Sequence, residues 1–155
     1  MGRDAVGVRG IRLKEGDYVV GGEVCSEGDC LLTVTENGYG KRTPLEEYLR
    51  GEGGPQNRGG MGLKNYNITE KTGKIADVMM VTEDEDIMII SDDGTILRTG
   101  AEGVNIYSRV TQGVRIMNVA DGVKVISLAK TEKEEEDPEE REEAGVEEET
   151  QSEVE

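Results

Sequence analysis

The chain has no His, no Phe and no Trp, and only two Cys and three Pro in 155 residues. Each scarcity closes off a class of function. Without His, no Ser or Cys has the usual base to activate it as a nucleophile. Cys25 and Cys30 alone are too few ligands for a zinc site, and two Cys make no disulfide framework, so both read as strand or core residues. Glu15, Asp17, Asp92 and Asp93 fall in turns and do not read as a paired general acid and base. No stretch approaches the roughly 18 apolar residues of a membrane helix. No charged-apolar-cleavage pattern marks the N-terminus, so the expected compartment is the cytoplasm. With Tyr18, Tyr39, Tyr48, Tyr66 and Tyr107 as its sole aromatics, the chain must fill a core with Val, Ile, Leu and Met.

What is present is glycine and charge. Twenty-two Gly suit many tight turns and argue against a helical protein. The formal net charge is −16, unevenly spread. From Thr131 onward 14 acidic residues stand against Lys133 and Arg141, which leaves −4 for Met1 to Lys130. The tail is almost free of large apolar residues and is interrupted by Pro138. It cannot bury enough apolar surface to offset its ordering entropy and is expected to be disordered. The domain reading is therefore 1–130 folded and 131–155 a disordered acidic tail. That tail reads either as a competitor with a polyanion for basic residues or as a solubilising terminus.

A strand-turn-strand unit occurs twice. The first copy runs from Cys30 through Asn37-Gly38 to Arg42-Thr43, and the second from Asp86 through Asp93-Gly94 to Arg98-Thr99. The step from Gly38 to Gly94 equals the step from Arg42 to Arg98. A second element is interleaved with the first. Arg3, Gly7 and Arg9 in the stretch before Leu13 recur, with their spacing kept, as Arg109, Gly113 and Arg115. Each copy precedes a turn and an apolar strand, Tyr18 to Val20 and Val123 to Leu128. Val8 to Leu13, Leu63 to Thr69 and Lys74 to Thr82 also read as strands, and Leu45 to Arg50 as a short helical turn. Hairpins recurring at a fixed step mark a radially repeated all-β architecture. The chain reads as the end of one repeat followed by two more, beginning inside a repeat as the C-terminal piece of a longer protein would.

Gly-Val-Arg-Gly-Ile-Arg-Leu at 7–13, Asn-Gly-Tyr-Gly-Lys-Arg-Thr-Pro at 37–44 and the Thr-Gln-Gly-Val-Arg core ending at Arg115 closely resemble the C-terminal domain of the DNA gyrase A subunit. The resemblance covers nearly all of Gly2 to Lys130. It implies a β-pinwheel, a β-propeller variant, here partial with about two and a half blades, whose rim carries double-stranded DNA. It further implies a parent type II topoisomerase that introduces negative supercoils with ATP and magnesium. Neither cofactor is expected to bind this chain. The implied partners are the rest of the gyrase A subunit and the gyrase B subunit, in a nucleoid-associated cytoplasmic enzyme. That family carries a box, Gln-Arg-Arg-Gly-Gly-Lys-Gly. Gln56, Arg58, Gly59, Gly60 and Gly62 match it, while Asn57 and Met61 replace two basic positions. The degenerate box is also compatible with the equivalent domain of topoisomerase IV.

The candidate DNA-binding residues follow. Arg3 with Arg109, Arg9 with Arg115, and Arg42 with Arg98 hold equivalent repeat positions. If repeats become blades, these charges fall along one curved border and contact phosphates without reading sequence. Arg12, Lys41 and Lys64 join them. Gln56, Arg58, Gly59, Gly60 and Gly62 form a turn that lets backbone approach a phosphate and aims amides at it. The bland readings are exposed Arg that solubilise an edge, glycines that only permit a turn, and a propeller fragment that binds protein rather than DNA. The acidic run Glu83 to Asp86 must face away from any DNA.

Overall fold

The computed structural model describes residues 2–133; the tail expected from 131 onward lies outside them beyond Lys133. Among the described residues the regular structure is all β, with three short 3-10 turns and no α-helix. The strands are β1 (Cys30–Thr35), β2 (Tyr39–Pro44), β3 (Ile75–Val81), β4 (Glu85–Ser91), β5 (Ile96–Gly100), β6 (Val114–Arg115) and β7 (Val125–Glu132). They form two antiparallel sheets, ordered β3-β1-β2-β6 and β5-β4-β7. Thr131 and Glu132, placed in the tail by composition, are strand residues paired with Asp86 and Glu85. The folded part therefore runs past the expected boundary at Lys130.

The repeated hairpins are built alike. β1 pairs β2 from Cys30 opposite Pro44 to Val34 opposite Gly40, and β4 pairs β5 from Asp86 opposite Gly100 to Ile90 opposite Ile96. Each pair of the first hairpin maps onto one of the second by the step that carries Gly38 to Gly94. The turns close by Gly38 N–H donating to Thr35 O at 3.0 Å and Gly94 N–H to Ser91 O at 3.1 Å. Gly38 and Gly94 take φ of 82° and 86°, a left-handed conformation after a turn that only glycine enters cheaply. Irregularities in pairing fall at Val34/Thr35 and at Ile90/Ser91, again one step apart.

Alternation along these strands aims Leu32, Val34, Ile87 and Ile89 at one shared core with Val81, Val104, Met117, Val125 and Leu128. The core is aliphatic, as a chain without Phe or Trp requires. β3 and β7 adjoin, and the Leu128 amide donates to the Asp77 carboxylate at 2.9 Å, bridging the sheets.

Three expected strands are corrected. Val8 to Leu13, Tyr18 to Val20 and Leu63 to Thr69 form no regular strand. A strand needs a ladder partner, and propensity alone does not supply one. The second copy of the Val-Arg element finds one, since Val114–Arg115 pairs with Gly40 and Tyr39 of β2. The first copy meets only a turn, through two backbone hydrogen bonds. Its apolar side chains stay in solvent, with Val8 61% and Ile11 45% exposed. The expected helical turn is a 3-10 turn over Leu45–Tyr48.

Two glycine substitutions separate strain from collision. A Cβ on Gly38 would lie 2.1 Å from Met117 O, whereas one on Gly94 meets nothing within 4 Å. Both positions carry left-handed strain of about 1–3 kcal/mol for a non-glycine residue. Gly38→Ala is expected to cost more than Gly94→Ala, because only the former must also displace backbone. Urea unfolding of the two variants checks the order; equal midpoints contradict it.

Candidate nucleic-acid interface

Gln56 to Gly62 forms a loop that turns at Gly59 and Gly62, with φ of 78° and 75°. Its polar side chains hold it in place. Gln56 donates to Tyr48 O at 3.3 Å, and Asn57 accepts from the Arg50 guanidinium at 3.3 Å. The Gly59 amide donates to Gly10 O at 2.8 Å, and the Arg12 amide donates to Gly60 O at 2.7 Å. These bonds set Arg9 and Arg12 beside Arg58, and all three are exposed. The expectation that the glycine turn aims its amides at a phosphate is corrected for Gly59, whose N–H is spent on Gly10. The loop gathers cationic side chains instead.

Met61 to Leu63 carry the chain on to exposed Lys64. Arg109 reaches the same place from the second copy. Its Nη1 donates to Lys64 O at 2.9 Å, and its backbone N–H donates to Glu47 Oε2 at 2.9 Å. Asn67 N–H donates to Thr111 O at 3.1 Å, so segment 64–67 runs beside 109–111. Arg9, Arg12, Arg58, Lys64 and Arg109 therefore follow one continuous backbone path. Gly60 lies within it, and exposed Arg3 sits in a turn shortly before Arg9.

Arg115 belongs to a second cluster. Its guanidinium lies 5.3 Å from the Tyr39 ring centre, and its Nη2 donates to Tyr39 Oη at 3.3 Å. Lys71 lies 5.6 Å from the same ring. With Asn37, Asp121 and Val123 these cations line a cleft of about 220 Å³. Sequence reading missed Lys71, because nothing in its spacing repeats. The signal was Asn37, whose side-chain amide donates to Glu70 O and Lys71 O at 3.2 Å each and draws that turn to the hairpin tip.

Two candidates are corrected outright. Lys41 is 0% and Arg42 4% exposed, so neither stands on a border open to DNA. Strand alternation sends the two side chains to opposite faces. The Lys41 ammonium donates to Asn65 O at 2.8 Å, Ser108 O at 2.8 Å, Arg109 O and Thr111 Oγ1 at 3.3 Å, and lies 4.8 Å from the Tyr66 ring centre. Arg42 donates from Nε to Val104 O at 2.6 Å and from Nη2 to Glu102 O at 3.4 Å, and pairs with Glu83 at 3.4 Å. Its repeat equivalent Arg98 is exposed but bound to Asp86 at 2.9 Å and Glu132 O at 3.3 Å. Equal spacing has therefore not produced equal environments.

No group of three or more His, Cys, Asp or Glu able to hold a metal occurs among the described residues. No described helix is long and apolar enough to cross a membrane.

The family described as DNA gyrase C-terminal domain, beta-propeller, matches residues 1–26, 31–82 and 85–132. The chain is 46% identical over 136 residues to the DNA gyrase A subunit of Staphylococcus epidermidis, covering 86% of this chain and 15% of that one. It is 42% identical over 139 residues to the DNA gyrase A subunit of Staphylococcus aureus, covering 88% and 15%. The chain thus spans about 15% of the length of these curated relatives. Among solved structures, a DNA gyrase A C-terminal domain superposes with a TM-score of 0.72 at 32% identity, over 80% of this chain and 41% of that one. The C-terminal domain of DNA topoisomerase IV superposes at 0.70 with 22% identity, over 81% and 38%, a likeness of fold.

The Lys41 site has a pH signature. Its pKa is lowered from 10.5 to about 8, chiefly by burial, with Glu47 opposing and Arg109 adding to the effect. Below pH 8 both folded and unfolded chains hold this proton. Between 8 and 10.5 only the unfolded chain does, so the Lys41 contribution to stability rises with pH across that window. Burial raises the Cys30 thiol and the Tyr66 phenol, which pull stability the other way at higher pH. Urea midpoints measured at pH 7 and pH 9 for wild type and Lys41→Leu isolate the lysine. The wild type is expected to gain relative to the variant as pH rises; parallel midpoints contradict the assignment.

Proposed function

We propose that this chain, which belongs to the family of DNA gyrase C-terminal domains, is a non-catalytic module that binds duplex DNA and bends it around its edge. The observation that carries this reading is the cationic path from Arg9 through Arg12, Arg58 and Lys64 to Arg109, assembled by hydrogen bonds to backbone carbonyls of segments far apart in sequence. Side chains at its surface meet phosphates as point or forked charges and read no bases. Arg115 and Lys71 add a second foothold beside the hairpin tip. Bending 20–30 bp costs about 1–6 kcal/mol, more than one exposed contact supplies, so the cations must act as a set.

The relatives are DNA gyrase A subunits, and in that context the module would hold a DNA segment against the rest of gyrase A and its partner gyrase B. It would thereby support ATP-dependent negative supercoiling in the cytoplasm, at the nucleoid. ATP and magnesium would act elsewhere in that enzyme. Loss of two basic residues from the box, at Asn57 and Met61, favours one alternative: a domain that selects DNA geometry without wrapping tightly, within a topoisomerase IV parent.

Titration of the full chain against a linear duplex between 50 and 200 mM salt tests the reading. The expected result is a linear fall of log affinity with log salt, its slope shrinking by about 1 for each of Arg12→Ala, Arg58→Ala and Lys64→Ala. No binding at 50 mM salt overturns it and leaves a protein-binding propeller fragment. Minicircle ligation then separates the alternatives, since wrapping shifts the linking number and binding without wrapping does not.

A further inference from the structure

Lys41 is the largest side chain in the fold that is wholly out of solvent. An ammonium has three hydrogens and no acceptor. Here it faces four oxygens contributed by two segments, Asn65 from one and Ser108, Arg109 and Thr111 from the other. We propose that Lys41 is a positioning residue for the cationic path, holding the backbone of Lys64 and Arg109 in register while itself touching no ligand. This inference rests on the DNA-binding reading above.

The geometry is direct. One Lys41 bond goes to the carbonyl of Arg109 itself and another to Asn65, the residue after Lys64. The Arg109 guanidinium then closes on Lys64 O. Three carbonyl dipoles converge on one point, and without the Lys41 N–H donors between them they repel. The segments would separate, and exposed Lys64 and half-buried Arg109 would lose their fixed spacing. Asn65 is braced further by its amide donating to Thr33 Oγ1 at 3.0 Å and by Tyr48 Oη. Thr111 Oγ1 is oriented by donating to Ser108 O at 2.9 Å.

Comparison of the two hairpins shows that the architecture does not demand this cation. At the equivalent place in the second hairpin, just before Arg98, the position of Lys41 is held by Leu97 in β5. Leu97 packs against the apolar core. A strand of this kind therefore accepts a leucine, and the lysine is tied to the junction that carries Lys64 and Arg109.

The test is a mutant cycle on the full chain, using Lys41→Leu, which copies the second hairpin, together with Arg109→Ala and the double variant. Lys41→Leu is expected to weaken binding of a linear duplex about tenfold and to lower the salt slope by about 1, although no phosphate can reach residue 41. The double variant is expected to be no weaker than the poorer single one, because the lysine acts through the arginine. An unchanged salt slope, or losses that add, overturns the proposal. Thr111→Val removes one acceptor of the ammonium, together with the hydroxyl's own bond to Ser108 O, and serves if Lys41→Leu loses its β signal in circular dichroism. A smaller loss in the same direction supports the clamp, and unaltered affinity overturns it. Should the wild-type chain bind no duplex at 50 mM salt, the proposed function falls and the clamp is read by amide exchange. Faster exchange at Asn67 and Arg109 in Thr111→Val then supports it, and identical exchange overturns it.

Discussion

The fold turns on how β2 grips the segment that returns from the second sheet. After β5 the chain crosses back and runs beside β2 from Glu102 to Thr111. Arg42 bridges Ile106 in parallel, with its amide donating to Asn105 O at 3.0 Å and Tyr107 N–H donating to Arg42 O at 2.9 Å. Thr43 Oγ1 donates to Tyr107 O at 2.9 Å. Arg42 closes the early end of this segment and Lys41 the late end. Two adjacent strand residues thus clamp opposite ends of one crossing chain. Burying a cation costs several kcal/mol unless its donors are met, and each charge-assisted hydrogen bond contributes about 1.5–3 kcal/mol. Lys41 meets four oxygens and Arg42 three, so the return segment lessens the cost of burying them, although burial still holds the Lys41 pKa down at about 8. β6 then pairs with β2, and the first sheet acquires its fourth strand from residues lying beyond the second hairpin.

This clamp explains what was legible in sequence and what was not. The hairpins were legible because turn chemistry is local. Gly38 and Gly94 follow acceptors that close a turn, and the flanking apolar residues alternate. The common step between the two copies survives into every paired position of β1/β2 and β4/β5. The family resemblance was legible for the same reason, since its motifs are the turn and the strand leaving it. Burial of Lys41 and Arg42 was not legible, because a charged pair in a strand reads as a solvated edge until a carbonyl-bearing segment is known to cover it. That segment arrives only after the whole second hairpin has intervened. Arg42 and Arg98 share a repeat position but not a neighbour, and the neighbour decides exposure.

The unpaired N-terminal elements follow the same logic from the other side. Val8-Arg9 and Val114-Arg115 are close in sequence pattern, yet only the second is a strand, because β2 offers it a ladder. The first copy contributes differently. Its carbonyl at Gly10 and amide at Arg12 bind the Gln56–Gly62 loop, and in doing so they bring together basic residues that the first hairpin separates in sequence. The box and the Val-Arg element, read separately as two candidate contacts, are one structure.

Charge balance makes that assembly consequential. Residues 1–130 are nearly neutral in sum, so any polyanion-binding surface depends on separating the signs. Burying Lys41 and Arg42 and pairing Arg98 with Asp86 and Lys130 with Glu85 at 3.3 Å leaves the second hairpin's cations matched by local acids. Arg9, Arg12, Arg58 and Lys64 lie on a different stretch, alongside a loop whose own polar groups are used internally. With its Gly59 amide spent on Gly10, the turn offers that amide to no phosphate, and the long side chains it gathers are the groups that would meet one. Contacts of that kind add affinity without reading bases, and they weaken together as salt rises. A bent duplex makes that same demand on the edge it follows, because bending is sustained by many modest contacts and by no single strong one.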